Sequence, residues 1–259
     1  MRITPSLRLA AIGFASTVVS LTAAQKYFGD FVTIAASGLI ALGVTTTMQR
    51  LLEENRASIW DKMQSPWIAN VVLAKQFSCL FFGICLAALL FDAFEFQSPA
   101  LASASLAHVY RNEFSDLVQH NLQVLIACLV LGTLYGAGGL MLVLAWNGLY
   151  WSTTIFSYLN QISAYSGLAA ATAVSLALLP HLCAELLAYV LSGLGGVFAA
   201  KALRKYSLAD PALARVLRAG TVMVLVAGIV LCFAALLEIY LAQTIFRYFS
   251  PPVPGGLPF

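Results

Sequence analysis

A nearly uninterrupted apolar run of about eighty residues, from Asn121 to Ala200, constrains this chain more than any other feature. A helix needs about 20 apolar residues to cross the hydrocarbon core of a bilayer, so the run is too long for one crossing. Small residues interrupt it at 136–139 and again at 164–167. The pattern therefore predicts three successive helical crossings, over residues 121–135, 140–162 and 168–200.

The composition of the whole chain agrees with a membrane location. Hydrophobic residues make up 61% of the sequence and charged residues only 10%, whereas a soluble domain has about 25% charged residues. The apolar runs predict helices, because none alternates over the ten-residue segments typical of a membrane β-barrel. A net charge of +3 is too small to indicate a nucleic-acid-binding protein. We predict an all-α, polytopic integral membrane bundle whose first partner is the lipid bilayer.

Four further apolar stretches lie outside the long run, at about 8–24, 31–48, 68–91 and 220–245. The first follows Arg2 and Arg8 and ends in the small residues Thr22, Ala23 and Ala24, as a cleaved signal peptide would. A retained helix is favoured because this stretch is long for a signal and leads almost at once into the next one. The sequence thus predicts seven transmembrane helices, or six if the first is removed.

These stretches divide the chain into three regions. Residues 1–49 hold two N-terminal transmembrane helices, and residues 50–67 form a polar connector. Within the connector, four apolar side chains share one helical face, which predicts an amphipathic surface helix, although a solvated connector fits equally well; they are Leu51, Leu52, Ile59 and Met63. Residues 68–259 form the membrane core, which includes the helices of 121–200 and a last span over about 220–245.

A second polar stretch, residues 92–120, is acidic, with a single arginine against four carboxylates. Four apolar side chains recur in it at helical spacing, namely Leu106, Tyr110, Phe114 and Leu117. They predict a helix over 103–119 that lies on or against the membrane.

Positive charges orient the chain, since cytoplasmic loops carry an excess of lysine and arginine. Basic residues are concentrated before the first stretch, in the 50–62 segment and in the 201–218 segment. We expect a multi-pass protein of the cell membrane with a cytoplasmic N-terminus and an external C-terminus.

The sequence LPHLCAEL, residues 179–186, places ionisable side chains inside the long apolar run. On a helix His181 and Glu185 lie one turn apart on the same face, and Pro180 removes a backbone donor beside them. Such side chains at membrane depth are costly and usually face the bundle interior or a cavity. Asn121 and Asn147 also need polar partners within the run. We predict that these five residues form an intramembrane polar cluster.

Small residues and cysteines carry weaker signals. The spacing of Gly132 and Gly136, and of Ser192 and Gly196, permits close helix approach, with Gly193 beside the second pair. All five cysteines lie in apolar stretches without a CxxC pair, so they are expected to be buried hydrophobic residues. We predict no cofactor and no metal ligand set.

Two segments, HNLQVLIACLVLGTLYGAGGLMLVLAWNGLYWSTTIF and LPHLCAELLAYVLSGLGGVFAAKAL, resemble the core of the stage II sporulation protein M family. The matching positions are Asn121, Gly136, Gly138, Asn147, Gly148, Pro180, His181, Glu185, Gly193 and Gly196. The resemblance covers about residues 110–205 and implies a helical integral membrane protein. The family's namesake is similar to a scaffold that assembles cell-wall hydrolases, but this chain shows no peptidoglycan-binding or hydrolytic domain to support that activity.

Three functions remain open from the sequence. The first is a non-enzymatic scaffold whose cytoplasmic loops or external helix recruit protein partners, while the polar cluster locks the bundle. The second is a small-molecule, ion or lipid transporter that uses His181 and Glu185. The third, an intramembrane metalloenzyme, is disfavoured because a zinc site needs at least three protein ligands. The scaffold is preferred, with no catalytic residue assigned, and the sequence leaves a homo-oligomer open.

Overall fold

The computed structural model describes residues 4–94, 114–242, 244–245 and 248. Every element in that part of the chain is helical, which confirms the all-α prediction there. The elements are α1 (Pro5–Phe28), α2 (Val32–Trp60), α3 (Pro66–Phe94), α4 (Phe114–Tyr135), α5 (Ala137–Lys205) and α6 (Pro211–Leu237), with a 3-10 turn at Gly29–Phe31 and a π-helix at Glu238–Ala242.

Five segments are long and apolar enough to cross a membrane: Pro5–Ile59, Pro66–Ala93, Leu117–Tyr135, Ser166–Lys205 and Pro211–Leu241. The first of these contains both α1 and α2. Most of the first half of α5 falls outside them, because polar residues such as Asn147 and Ser152 lower its hydropathy. The structure therefore confirms a membrane-type helical bundle, while the count of seven crossings stays a prediction.

The chain reverses direction between α1 and α2. Gly29 has a φ of 48°, in the left-handed region that glycine adopts more readily than other residues. Beyond it, Gly43 of α2 comes back beside Ser16 of α1. The two helices therefore form an antiparallel hairpin.

The longest helix, α5, is also a hairpin. Gly167 has a φ of 84° and a ψ of 171° and divides it into a first arm, residues 137–166, and a second arm, residues 168–205. Near the bend, Ile162 packs against Ala170 and Val174. Farther along, the rings of Trp151 and Tyr189 have centroids 6.5 Å apart. The arms thus run antiparallel beside each other, as the predicted interruption at 164–167 requires.

The long hairpin is the centre of the bundle. It packs against α2, α3, α4 and α6, while α1 packs against α2 and α3. Large side chains from α3 and from both arms fill the space between these helices without contact with solvent or lipid; they include Phe77, Phe81, Leu140, Leu144 and Tyr189.

The region predicted as a separate connector, 50–67, is divided between two membrane helices. Residues 50–60 continue α2, and Pro66 begins α3. The helix does not leave the bundle because Leu51 and Leu52 are buried in it, and because the Asn55 Nδ2 donates to the Asn70 Oδ1 of α3 at 3.1 Å. Of the predicted apolar face, Leu51 and Leu52 are covered by protein, whereas Met63 lies beyond the end of α2 and is exposed.

Two other predicted boundaries differ from the structure. Residues 103–113 of the predicted external helix lie outside the described residues, and its last part is the beginning of α4, where Leu117 is buried. The last span begins at Pro211 and not near position 220. Asp210 caps that helix, since its Oδ1 accepts a hydrogen bond from the Ala212 N–H at 2.8 Å, and a proline suits the first helical position.

Candidate functional site

The predicted polar cluster is built where α4 lies parallel to the second arm of α5. The Ser192 Oγ donates to the Leu125 carbonyl at 3.0 Å, which fixes the register of the two helices. Toward the start of both helices, the Asn121 Nδ2 donates to the Glu185 Oε1 in a short hydrogen bond. A hydrogen bond between one side chain of each helix therefore joins α4 to the second arm in the bundle interior.

His181 and Glu185 both face the interior, as their spacing on one helical face predicts. Their side chains are 5% and 4% exposed, respectively. Among the described residues, the His181 Nδ1 is buried and has no hydrogen-bond partner. A buried polar atom in this state costs about 1–3 kcal/mol, so the cluster is not a fully satisfied network.

Glu238, a half-buried residue that the sequence pattern did not assign to the cluster, lies near it. Glu238 opens the π-helix at the end of α6 and lies within electrostatic range of Glu185. π-Helical turns are rare and occur frequently at functional sites. Glu238 is the only charged residue between positions 220 and 245. A charged residue inside an apolar span is costly, and this signal, which identified Glu185 as a candidate, could also have identified Glu238.

Tyr189 lies one turn beyond Glu185, and it is buried in the same region. It is within electrostatic range of Glu185, of Cys128 on α4 and of Glu238 in the π-helix. Its other neighbour is Trp151 on the first arm. Tyr189 thus connects the polar cluster to the aromatic packing inside the hairpin.

Two members of the predicted cluster have other roles. Asn147 is buried, and its Nδ2 donates to the Val143 carbonyl of its own helix at 2.9 Å. Pro180 is exposed on the outside of the second arm, and the only non-helical backbone within α5 is at Gly167. The bend of α5 therefore comes from glycine and not from proline, since the helix accommodates Pro180 with helical dihedral angles.

Glycines allow the helices around this site to approach closely. A Cβ placed on Gly132 would lie 2.7 Å from the Gly193 carbonyl, and one placed on Gly196 would meet the Leu129 carbonyl. Gly136 does not pack against another helix but turns the chain between α4 and α5, with a φ of 64°. Gly132 and Gly136 are thus not a packing pair, although Gly132, Gly193 and Gly196 all lie at helix contacts.

The described residues show no group of three or more His, Cys, Asp or Glu side chains able to hold a metal ion. The five cysteines have free thiols. Cys128 is buried, as expected, but the expectation is wrong for Cys183 and Cys232, which are exposed on the outside of the bundle. The metalloenzyme hypothesis gains no support from this part of the molecule.

The model of the stage II sporulation protein M family matches residues 76–243 of the chain. The chain belongs to this family. The stage II sporulation protein M match begins within α3, ends just after the π-helix, and includes Asn121, His181, Glu185 and Glu238. It reaches beyond the region in which the sequence pattern first suggested the resemblance. No curated protein and no solved structure matches the chain.

Proposed function

We propose that this member of the stage II sporulation protein M family is a non-enzymatic membrane scaffold that holds partner proteins at the cell membrane. The observation that carries this proposal is the direct backbone contact between helices at glycines. Gly13 of α1 meets the Leu80 carbonyl of α3, Gly132 meets Gly193, and Gly195 meets Gly220 of α6. Backbones in such close contact leave little space between these helices, which suits a rigid platform more than a pathway for a substrate.

The polar cluster supports the same role. Glu185 and Asn121 satisfy each other between α4 and the second arm, and either one would be costly to bury alone. A hydrogen bond of this kind sets the register of two helices in a lipid environment, where apolar side chains alone give little orientation. The cluster then serves to hold α4, α5 and α6 in one arrangement.

The topology that we propose has seven crossings. The antiparallel packing of the two arms of α5 supports it, because an arm that lies beside a membrane-length segment is itself expected to cross the membrane. The basic segments at 50–62 and 201–218 would be cytoplasmic and the C-terminus external. Partner proteins would bind the cytoplasmic loops or the 103–119 segment.

Site-specific photo-crosslinking in cells tests the scaffold. A photoreactive amino acid at Ser207, in the loop between α5 and α6, should give discrete crosslinked bands that contain another protein. The same amino acid at Leu225, which is 64% exposed on the apolar surface of α6, serves as the lipid-facing control and should give none. If crosslinking from Ser207, from the 50–62 segment and from Ser103 all yielded no protein adduct, the scaffold proposal would be wrong. Adducts made only of this chain would indicate a homo-oligomer instead.

One observation favours transport as a second candidate function. The carboxyl groups of Glu185 and Glu238 lie within electrostatic range of each other, and His181, one turn before Glu185, has a buried nitrogen without a hydrogen-bond partner among the described residues. Acidic side chains and histidines in this setting form proton relays in known transporters. Proteoliposomes loaded with a pH-sensitive dye test it directly: proton flux that disappears in Glu185→Gln and Glu238→Gln would establish transport.

A further inference from the structure

Three basic side chains lie at one end of the bundle, where α2 and the second arm of α5 both end. The long hairpin packs against α2: Gly138 of the first arm lies beside Thr45 of α2, and Leu140 of the same arm lies beside Gly193 of the second arm. Residues 53–56 of α2 and 201–204 of α5 lie the same eight to eleven residues beyond these contacts, so they reach the same level at this end of the bundle. The charged residues at the ends of these two ranges are exposed. They lie three residues apart on each helix, so each pair shares a face: Glu53 and Arg56 on α2, and Lys201 and Arg204 on α5.

The four charged groups belong to one site that spans both helices. Glu53, Arg56 and Arg204 all lie within electrostatic range of Lys201. The Arg204 Nε donates to the Ala200 carbonyl at 3.2 Å, which holds that guanidinium against its own helix end. The neighbouring carboxylate of Glu54 is already paired with Arg50 at 2.9 Å. Cations therefore outnumber the available carboxylate by two, and an anion would relieve their mutual repulsion.

The position of this site identifies the anion. Lys201 and Arg204 directly follow the apolar run that ends at Ala200, which is where a membrane helix meets the phosphates of the lipids. Basic pockets between transmembrane helices at this depth bind anionic lipid head groups, and guanidinium groups bind phosphate in a bidentate manner.

We propose that Arg56, Lys201 and Arg204 form a binding site for the phosphate of an anionic phospholipid, in the leaflet at which α2 and α5 end. Glu53 lies within the site, offsets one cation and attracts the Lys201 ammonium. The lipid would bridge α2 to the long hairpin at the end where the polar loops begin. This site does not depend on the scaffold function, but only on the position of the two helix ends at the membrane surface.

The test uses the full chain purified in a mild non-ionic detergent. Phosphatidylglycerol or phosphatidylcholine is titrated in, and bound lipid is counted by native mass spectrometry while thermal unfolding is followed in parallel. The parent protein should bind one phosphatidylglycerol in preference to phosphatidylcholine and unfold at a higher temperature with it. The variant Arg56→Gln/Lys201→Gln/Arg204→Gln should bind phosphatidylglycerol roughly a hundredfold more weakly, because each cation at a membrane surface contributes about fivefold.

A matched variant, Lys62→Gln/Arg215→Gln/Arg218→Gln, removes the same number of positive charges from other elements and should bind as the parent does. Equal losses in both triple variants would overturn the site in favour of diffuse surface charge. Inorganic phosphate that reproduced the full stabilisation would overturn the assignment to a lipid. If the first triple variant does not fold, Lys201→Gln and Lys201→Arg replace it: binding by Lys201→Gln equal to that by Lys201→Arg would also overturn the proposal.

Discussion

Asn121 on α4 donates its side-chain N–H to the carboxyl group of Glu185 on the second arm of α5, across sixty-four residues of sequence. Within the described part of the chain, it is the one hydrogen bond that joins side chains of the predicted polar cluster on two different helices. Because both partners are buried, removal of one leaves the other without a hydrogen bond in an apolar surrounding. The bond therefore makes a prediction about stability that does not depend on the function.

Glu185→Leu should destabilise the bundle by about 1–3 kcal/mol or more, because the Asn121 amide remains buried without its acceptor. Asn121→Leu should do the same to the carboxyl group. The double variant should be less destabilised than the sum of the two, with a coupling of at least about 0.5 kcal/mol. Denaturant unfolding in micelles, followed by circular dichroism, measures all three; strictly additive effects would mean that the two side chains do not interact.

Gly167→Ala should destabilise the hairpin of α5 by about 1–2 kcal/mol, because a residue with a Cβ is strained at a φ of 84°. Space is not the cause, since nothing lies within 4 Å of a Cβ at this position. Gly228→Ala is the matched control, because its site on α6 is equally open but helical, and it should be neutral or stabilising. Equal unfolding temperatures for the two variants would contradict a hairpin bend at Gly167.

Gly132→Ala should separate α4 from the second arm, because its Cβ would lie 2.7 Å from the Gly193 carbonyl. Backbone on both sides leaves no flexible side chain to move away, so a loss of about 1–3 kcal/mol is expected. Gly38→Ala, at an open helical position of α2, should cause no loss. Retention of full stability by Gly132→Ala in the same unfolding assay would show that the two helices are not in direct contact.

Cysteines placed at Ser103 and at Ser207 should be labelled from opposite sides of the membrane by an impermeant maleimide. The reason is the number of lysines and arginines, which are frequent at 201–218 and represented only by Arg111 at 92–120. The five native cysteines must first be replaced, since Cys183 and Cys232 are exposed on the outside of the bundle. Labelling of both positions from one side would rule out the seven-crossing topology.

The parts of the fold that a local pattern determines were predictable from the sequence. A run of eighty apolar residues must be interrupted, and small residues mark the places, so Gly136 and Gly167 could be identified as turns. Residues 50–60 were harder to predict, because their pattern shows that one face is buried but not what covers it. The bundle covers it, and the surface helix expected there is the end of α2.

The polar cluster was also predictable only as far as a local sequence pattern determines it. The sequence placed Glu185, Asn121 and Asn147 in one cluster, since each is a polar group inside an apolar helix that needs a partner, but it did not show which of the two amides meets Glu185. Asn147 has the same need but satisfies it with the carbonyl one turn earlier, a solution that every helical asparagine has available. Glu238 was not included because its distance from Glu185 depends on how α6 returns past α5, and sequence spacing does not encode that path.

The scaffold proposal requires that the carboxyl group of Glu185 stabilises the contact between α4 and α5 through Asn121, and that neither Glu185 nor Glu238 carries protons or substrate. The measurement that tests it most directly is the ability of Glu185→Gln/Glu238→Gln to restore the phenotype of a strain that lacks the gene, at matched protein level and unfolding temperature. Glutamine keeps the shape of each side chain, and at position 185 it keeps an oxygen that can accept from Asn121, but it does not titrate. The scaffold predicts restoration equal to that by the parent; a variant that folds normally and fails to restore the phenotype would contradict it.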